Sequence, residues 1–177
     1  PQKGRYRQFN QAGVEMLGYS EGLAELEIVS MICSIIAKLK IEDPILKINH
    51  LGDRDSKQKF CIALVDFLKP LATKLDERDL KRLDANPLRI LDSKNPKTQE
   101  ILKEAPKIKD YLSNESLGTL ELIKSTFSNE CNIEIDHNLV RGLDYYTGFV
   151  FEAVSSNLGA QDAFLGGGRY DDLCHEL

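Results

Sequence analysis

A chain of 177 residues can hold one domain with a real core or two small ones, and 42% hydrophobic against 29% charged residues is an ordinary globular balance. No run approaches the roughly 18 uninterrupted apolar residues of a membrane span, so a soluble protein is expected. The net charge of -5 argues against an all-over basic nucleic-acid binder, but Lys and Arg stand six against seven Asp and Glu over 1–53, fifteen against thirteen over 54–130, and two against eight over 131–177.

Residues 5 to 18 alternate as a strand would, between Gly4 and the "GYSEG" turn. On that reading Arg5, Arg7, Phe9, Gln11, Gly13 and Glu15 share one face, a row of cations, aromatic, amide and carboxylate that could floor a ligand site; the plainer reading is an exposed strand with one Phe turned in. At roughly 3.3 Å per residue the whole row is too long for one small ligand, so Arg5 joins it only from a curling loop.

From Gly22 to Lys40 the residues Leu23, Leu26, Val29, Ile32, Cys33, Ile36 and Leu39 recur at helical spacing, with Ser20 as the expected cap. "ILKINHLGD" at 45 to 53 reads as a strand. From there to about residue 130 the pattern is helical but broken by Pro70, Pro87, Pro96 and Pro106, which suggests an inserted helical subdomain. Strands return in "NIEID", "GFVFEAV" and "DAFLGGG", the last two at hairpin spacing. This order predicts an α+β fold with an antiparallel sheet flanked by helices: core over 1–53, insertion over 54–130, core again over 131–177.

"LVRGLDYYTG" sets Arg141 and Asp144 between apolar anchors. A guanidinium there either pairs with Asp144 or faces a cleft that receives an anion. Tyr145 and Tyr146 would point to opposite faces if the chain is extended. "GGGRYDD" lacks the GK[ST] of a phosphate loop and does not open a βαβ unit, so its glycines read as a turn or as a place where backbone must approach something closely, and Arg169 and Asp171 read as structural. His50, His137 and His175 are isolated, and Cys33, Cys61, Cys131 and Cys174 form no CxxC pair, so neither a metal site nor a nucleophilic triad is expected; reduced thiols favour the cytoplasm. The absence of an initiator Met and the interior look of "PQKGRYRQF" suggest a fragment.

"PQKGRYRQFNQAGVEMLG", "LVRGLDYYTGFVFE" and "GGGRYDDL" together resemble the later half of class II motif 2 and the two histidine-specific motifs of the histidyl-tRNA synthetase family; "NPLRILDSKNP" resembles the bacterial type. The resemblance implies ATP-dependent activation of histidine to histidyl adenylate, then transfer to tRNA(His), with Mg2+ carried by ATP. It also implies that Arg141 is the catalytic arginine at the α-phosphate and the histidine carboxylate, and that Arg5 and Phe9 meet ATP. Gln11 and Glu15 would hold the ammonium and imidazole of histidine, Tyr145 and Tyr146 would close its pocket, and Gly167 and Gly168 would wall it. The insertion would lie over the tRNA acceptor end, and the complete enzyme would be a homodimer. Class II motif 1, motif 3 and the anticodon-binding domain have no counterpart here, so the piece alone is expected not to aminoacylate. The runner-up is the synthetase-like regulatory subunit of ATP phosphoribosyltransferase, which generally lacks the long insertion.

Overall fold

The computed structural model describes residues 8–142, 145–158 and 162–173. Helix α1 (Leu23–Leu39) buries Val29, Ile32, Cys33 and Ile36, the middle of the expected stripe, while Leu23 and Leu39 at its ends are exposed. Its cap is Gly22 rather than Ser20. Gly22 takes φ 102°, which suits a residue without Cβ, and Glu25 reaches back to accept its N–H at 2.5 Å.

Strand β1 (Ile45–His50) lies at the centre of the sheet. After it come α2 (Arg54–Leu68), α3 (Glu77–Ala85), α4 (Pro96–Lys103) and α5 (Asn114–Phe127), with 3-10 turns at 69–74, 87–92 and 108–111. Asp53, Asp76, Asn95 and Ser113 each accept a backbone N–H at the start of their helices, so the polar residues between the apolar runs are the caps that separate them.

Strands β2 (Asn132–Ile135), β3 (Thr147–Val154) and β4 (Ala163–Arg169) complete a four-stranded sheet in the order β2-β1-β3-β4. β1–β3 and β3–β4 are antiparallel as expected, but β1–β2 is parallel, so the sheet is mixed. The helices between β1 and β2 form a crossover, and a crossover returns the chain in its starting direction.

The sequence also anticipated a strand over 5–18. Residues 8–17 form none, and Phe9, Val14 and Leu17 are exposed there. Alternation is not enough: a strand must give its N–H and C=O groups to a neighbour, and none of the described strands pairs with this stretch.

The two faces of the sheet pack differently. Leu46 and Ile48 of β1 with Phe149 and Ala153 of β3 pack under α1 and α5, where Leu120, Ile123 and Phe127 close the layer. Val150 points the other way, into a cluster with Phe60, Leu64, Leu68, Ile90 and Ile108. Thus α5, which falls in the insertion as drawn from sequence, covers the sheet beside α1, while α2 through the 108–111 turn make a separate layer on the opposite face.

Candidate active site

Arg141, Glu152, Tyr146 and Gly168 gather on the face of β3 and β4 away from α1. Leu139 is buried in the second cluster and Val140 packs against it, so the chain enters β3 from a fixed point, and Arg141 follows directly. Its Nη1 donates to Glu152 Oε1 at 2.5 Å, with both side chains about one quarter exposed. Its Nε is buried without a partner among the described residues. The guanidinium lies against Gly166: a Cβ there would stand 2.7 Å from Nη1 and 2.9 Å from Cζ. Asp144, the pairing partner considered from sequence, lies outside the described residues, as does Arg5.

Tyr145 and Tyr146 do not part to opposite faces. The chain turns at Tyr145 instead of extending, and the two rings pack with centroids 4.8 Å apart. Tyr170 meets them edge-on at 5.8 and 6.4 Å. Burial, with Tyr145 alongside, pushes the Tyr146 phenol up from its ordinary pKa; Arg141 opposes this in part. The Tyr170 hydroxyl donates to Glu15, which brings Glu15 to the aromatic cluster although its segment is not a strand.

The other members of the expected floor are not gathered in. Gln11 is exposed, and Phe9 is 71% exposed. Among the glycines, strand alternation divides the work. Gly168 faces Tyr146 and Val150, whereas a Cβ on Gly167 would strike the Phe151 ring at 2.7 Å, toward the α1 and α5 layer. Gly166 and Gly168 therefore line the site, and Gly167 lies on the reverse side.

Sequence reasoning passed over three groups. Glu152 is the single carboxylate inside "FVFEAV", and that is the one signal the sequence offers for it. Tyr170 was hidden in a motif read for its glycines. His50, read as isolated, is 1% exposed, accepts from the Gly52 N–H through Nδ1 at 2.9 Å, and uses Nε2 to meet Glu21. The proton therefore sits on Nε2. Arg169 is structural, as expected: it donates to Glu25 at 2.8 Å and to Asp171 at 3.0 Å. These contacts tie the start of α1 to the end of β4. Gly148 sits in the same knot with φ 56°, and a Cβ there would crowd Arg169 Cδ at 3.2 Å.

Beside Arg141 a cleft of about 390 Å³ runs between the sheet and the helical layer, lined by Lys47, Asp136, Glu152, Lys94 and Gln99 among others. Lys47 is held by Asp136 at 3.1 Å. No helix among the described residues is long and apolar enough to cross a membrane.

A profile of the family described as "Histidyl-tRNA synthetase" matches residues 1–177. The histidine--tRNA ligase of Francisella philomiragia is 47% identical over 179 residues, covering 100% of this chain and 42% of that protein; the one of Chlorobium limicola is 47% identical over 178 residues, covering 100% and 41%. The chain therefore spans well under half the length of these curated relatives. Among solved structures, apo Staphylococcus aureus histidyl-tRNA synthetase matches with a TM-score of 0.62 at 31% identity over 86% of this chain and 37% of that one. A Bacillus halodurans protein titled ATP phosphoribosyltransferase regulatory subunit/histidyl-tRNA synthetase matches at 0.51 and 18%, covering 90% and 45%, which is a likeness of fold alone. With a family profile over the whole chain and curated relatives at this identity, all named histidine--tRNA ligase, the chain belongs to the histidyl-tRNA synthetase family.

Proposed function

We propose that this chain supplies part of the catalytic domain of a histidine–tRNA ligase, which activates histidine with ATP to histidyl adenylate and pyrophosphate and then transfers the histidyl group to tRNA(His). The observation that carries it is a guanidinium held on the sheet, beside tyrosines, with a buried Nε that meets no partner among the described residues. Attack of the histidine carboxylate on the α-phosphate brings two anions together. A cation fixed between them lowers that barrier without any proton transfer. Arg141 takes this role. Tyr145 and Tyr146 enclose the histidine, Glu15 and Gln11 hold its imidazole and ammonium, and Gly168 gives the pocket its wall. Arg5 and Phe9 serve ATP, whose Mg2+ arrives with it.

The tripartite division at 53 and 130 belongs to the same proposal, with α5, though drawn within the insertion, packing on the core sheet beside α1. The helical layer faces the tRNA acceptor end, with Arg78, Lys81, Arg82 and Arg89 around one shallow depression as phosphate contacts. The complete ligase works as a homodimer in the cytoplasm.

The test uses a full-length ligase built on the Francisella philomiragia relative, with this chain as its matching segment. Histidine-dependent exchange between ATP and pyrophosphate is expected, and Arg141→Ala should lower it by about 10²-fold or more. Undiminished exchange in Arg141→Ala would remove the assignment.

A further inference from the structure

We propose that Glu152 is the positioning residue that holds Arg141 for adenylate formation, and that Gly166 is the side-chain-free seat on which the guanidinium rests. The inference depends on Arg141 being the group that meets the substrate anions.

Register puts the parts in line. Glu152 lies opposite Lys47 on β1 and opposite Gly166 on β4, so Lys47, Glu152 and Gly166 form one row across the sheet. Each place in the row has a distinct task. Lys47 is turned to Asp136 at 3.1 Å, which leaves the Glu152 carboxylate to Arg141 at 2.5 Å. Gly166 offers no Cβ, and one would stand 2.7 Å from Nη1, 2.9 Å from Cζ and 2.9 Å from Nη2, contacts that would displace the guanidinium as a plane. Arg141 is thus held by Glu152 at Nη1 and supported flat, with the Tyr146 hydroxyl also within hydrogen-bonding reach, while its five N–H donors exceed what Glu152 can accept.

Stability alone is a weak reason for this pair. At 25% and 27% side-chain exposure it is only partly removed from water, and ion pairs so placed contribute little to folding. A carboxylate set between Phe151 and Ala153 in an apolar strand needs a better return. Orientation supplies one: a long, flexible side chain that must meet charge only as it develops gains from being fixed beforehand.

The variants are measured in the same full-length ligase by exchange kinetics, with thermal unfolding as a check on folding. Glu152→Gln keeps the shape and loses the charge; kcat is expected to fall about tenfold, with KM for histidine and for ATP nearly unchanged. Glu152→Ala and Gly166→Ala should fall further, on the order of 10²-fold, since a shift of about 1 Å is enough for such a loss. Added to Arg141→Ala, Glu152→Gln should cost nothing more, because there is nothing left to aim. A normal kcat in Glu152→Gln and Glu152→Ala, beside a damaged Arg141→Ala, overturns the positioning role and leaves the role of Arg141 intact. So does a full additional loss in the double variant. Full activity in Arg141→Ala overturns the underlying reading, and this inference with it. Should Glu152→Ala fail to fold, the isosteric Glu152→Gln decides alone.

Discussion

Gly168 occupies a tight gap in the site that includes a backbone oxygen. A Cβ there would lie 2.7 Å from the Phe149 carbonyl oxygen, 2.8 Å from Val150 Cγ1 and 3.0 Å from Tyr146 Cδ1, and a backbone oxygen within a sheet cannot step aside. Gly168→Ala should therefore cost about 1–3 kcal/mol of stability in urea unfolding. Gly13→Ala, whose Cβ would meet nothing within 4 Å, should stay within about 0.5 kcal/mol. Legibility at this scale follows the oddness of a residue in its neighbourhood. Arg141 was visible because a guanidinium ahead of an apolar strand needs an anion. Glu152 was not, because one polar residue in a strand ordinarily means the wet face. The glycine triplet left a turn and a close backbone approach both open, and which two glycines face the site depends on strand register, since three identical residues carry no mark of face.

At the scale of elements, one buried carboxylate organises the helical layer. Asp79 is 1% exposed; its Oδ2 accepts from Ser93 Oγ at 2.5 Å and Thr98 Oγ1 at 2.7 Å, and its Oδ1 meets Arg82 at 3.3 Å. It joins α3, the 87–92 turn and the first turn of α4 in place of a larger apolar core. Asp79→Asn replaces an acceptor with a donor among these partners and should lower stability by about 2–3 kcal/mol, read from urea midpoints monitored by far-UV circular dichroism. The exposed Lys81–Glu77 pair offers the contrast, and Lys81→Ala should be close to neutral. Helices were legible because their apolar spacing and caps are local. The parallel β1–β2 pairing was not: it joins segments on either side of the whole helical region, and neither records its partner. The anticipated strand over 5–18 failed for a related reason, since alternation describes a face and not a neighbour.

For the whole molecule, the two packing clusters meet through β3, and the first also encloses two thiols. Cys33 of α1 and Cys131 ahead of β2 are both buried; burial, with Cys131 alongside, pushes the Cys33 thiol up to about 12 from 9.0, and burial raises Cys131 as well. Below 9.0 the thiol is neutral in both states and stability is unaffected, whereas between 9.0 and about 12 the unfolded chain has lost a proton that the folded chain keeps, so stability falls as pH rises. Between about pH 8 and pH 10, Cys33 should account for a loss of roughly 1 kcal/mol. Urea midpoints over that range should decline less steeply in Cys33→Ala; equal slopes would remove the thiol as the cause. The parallel strand pair bears on how the chain is made. The side-chain bonds that bind β1 to the segment just beyond β2 span 89 and 90 residues, while those that knit the helical layer around Asp79 span 3 to 19. On a ribosome that emits β1 first, the layer can gather as soon as it emerges, and β1 waits with both edges open until β2 and β3 have been synthesised. The interval of greatest exposure to misassembly is thus set by translation speed across α2 to α5.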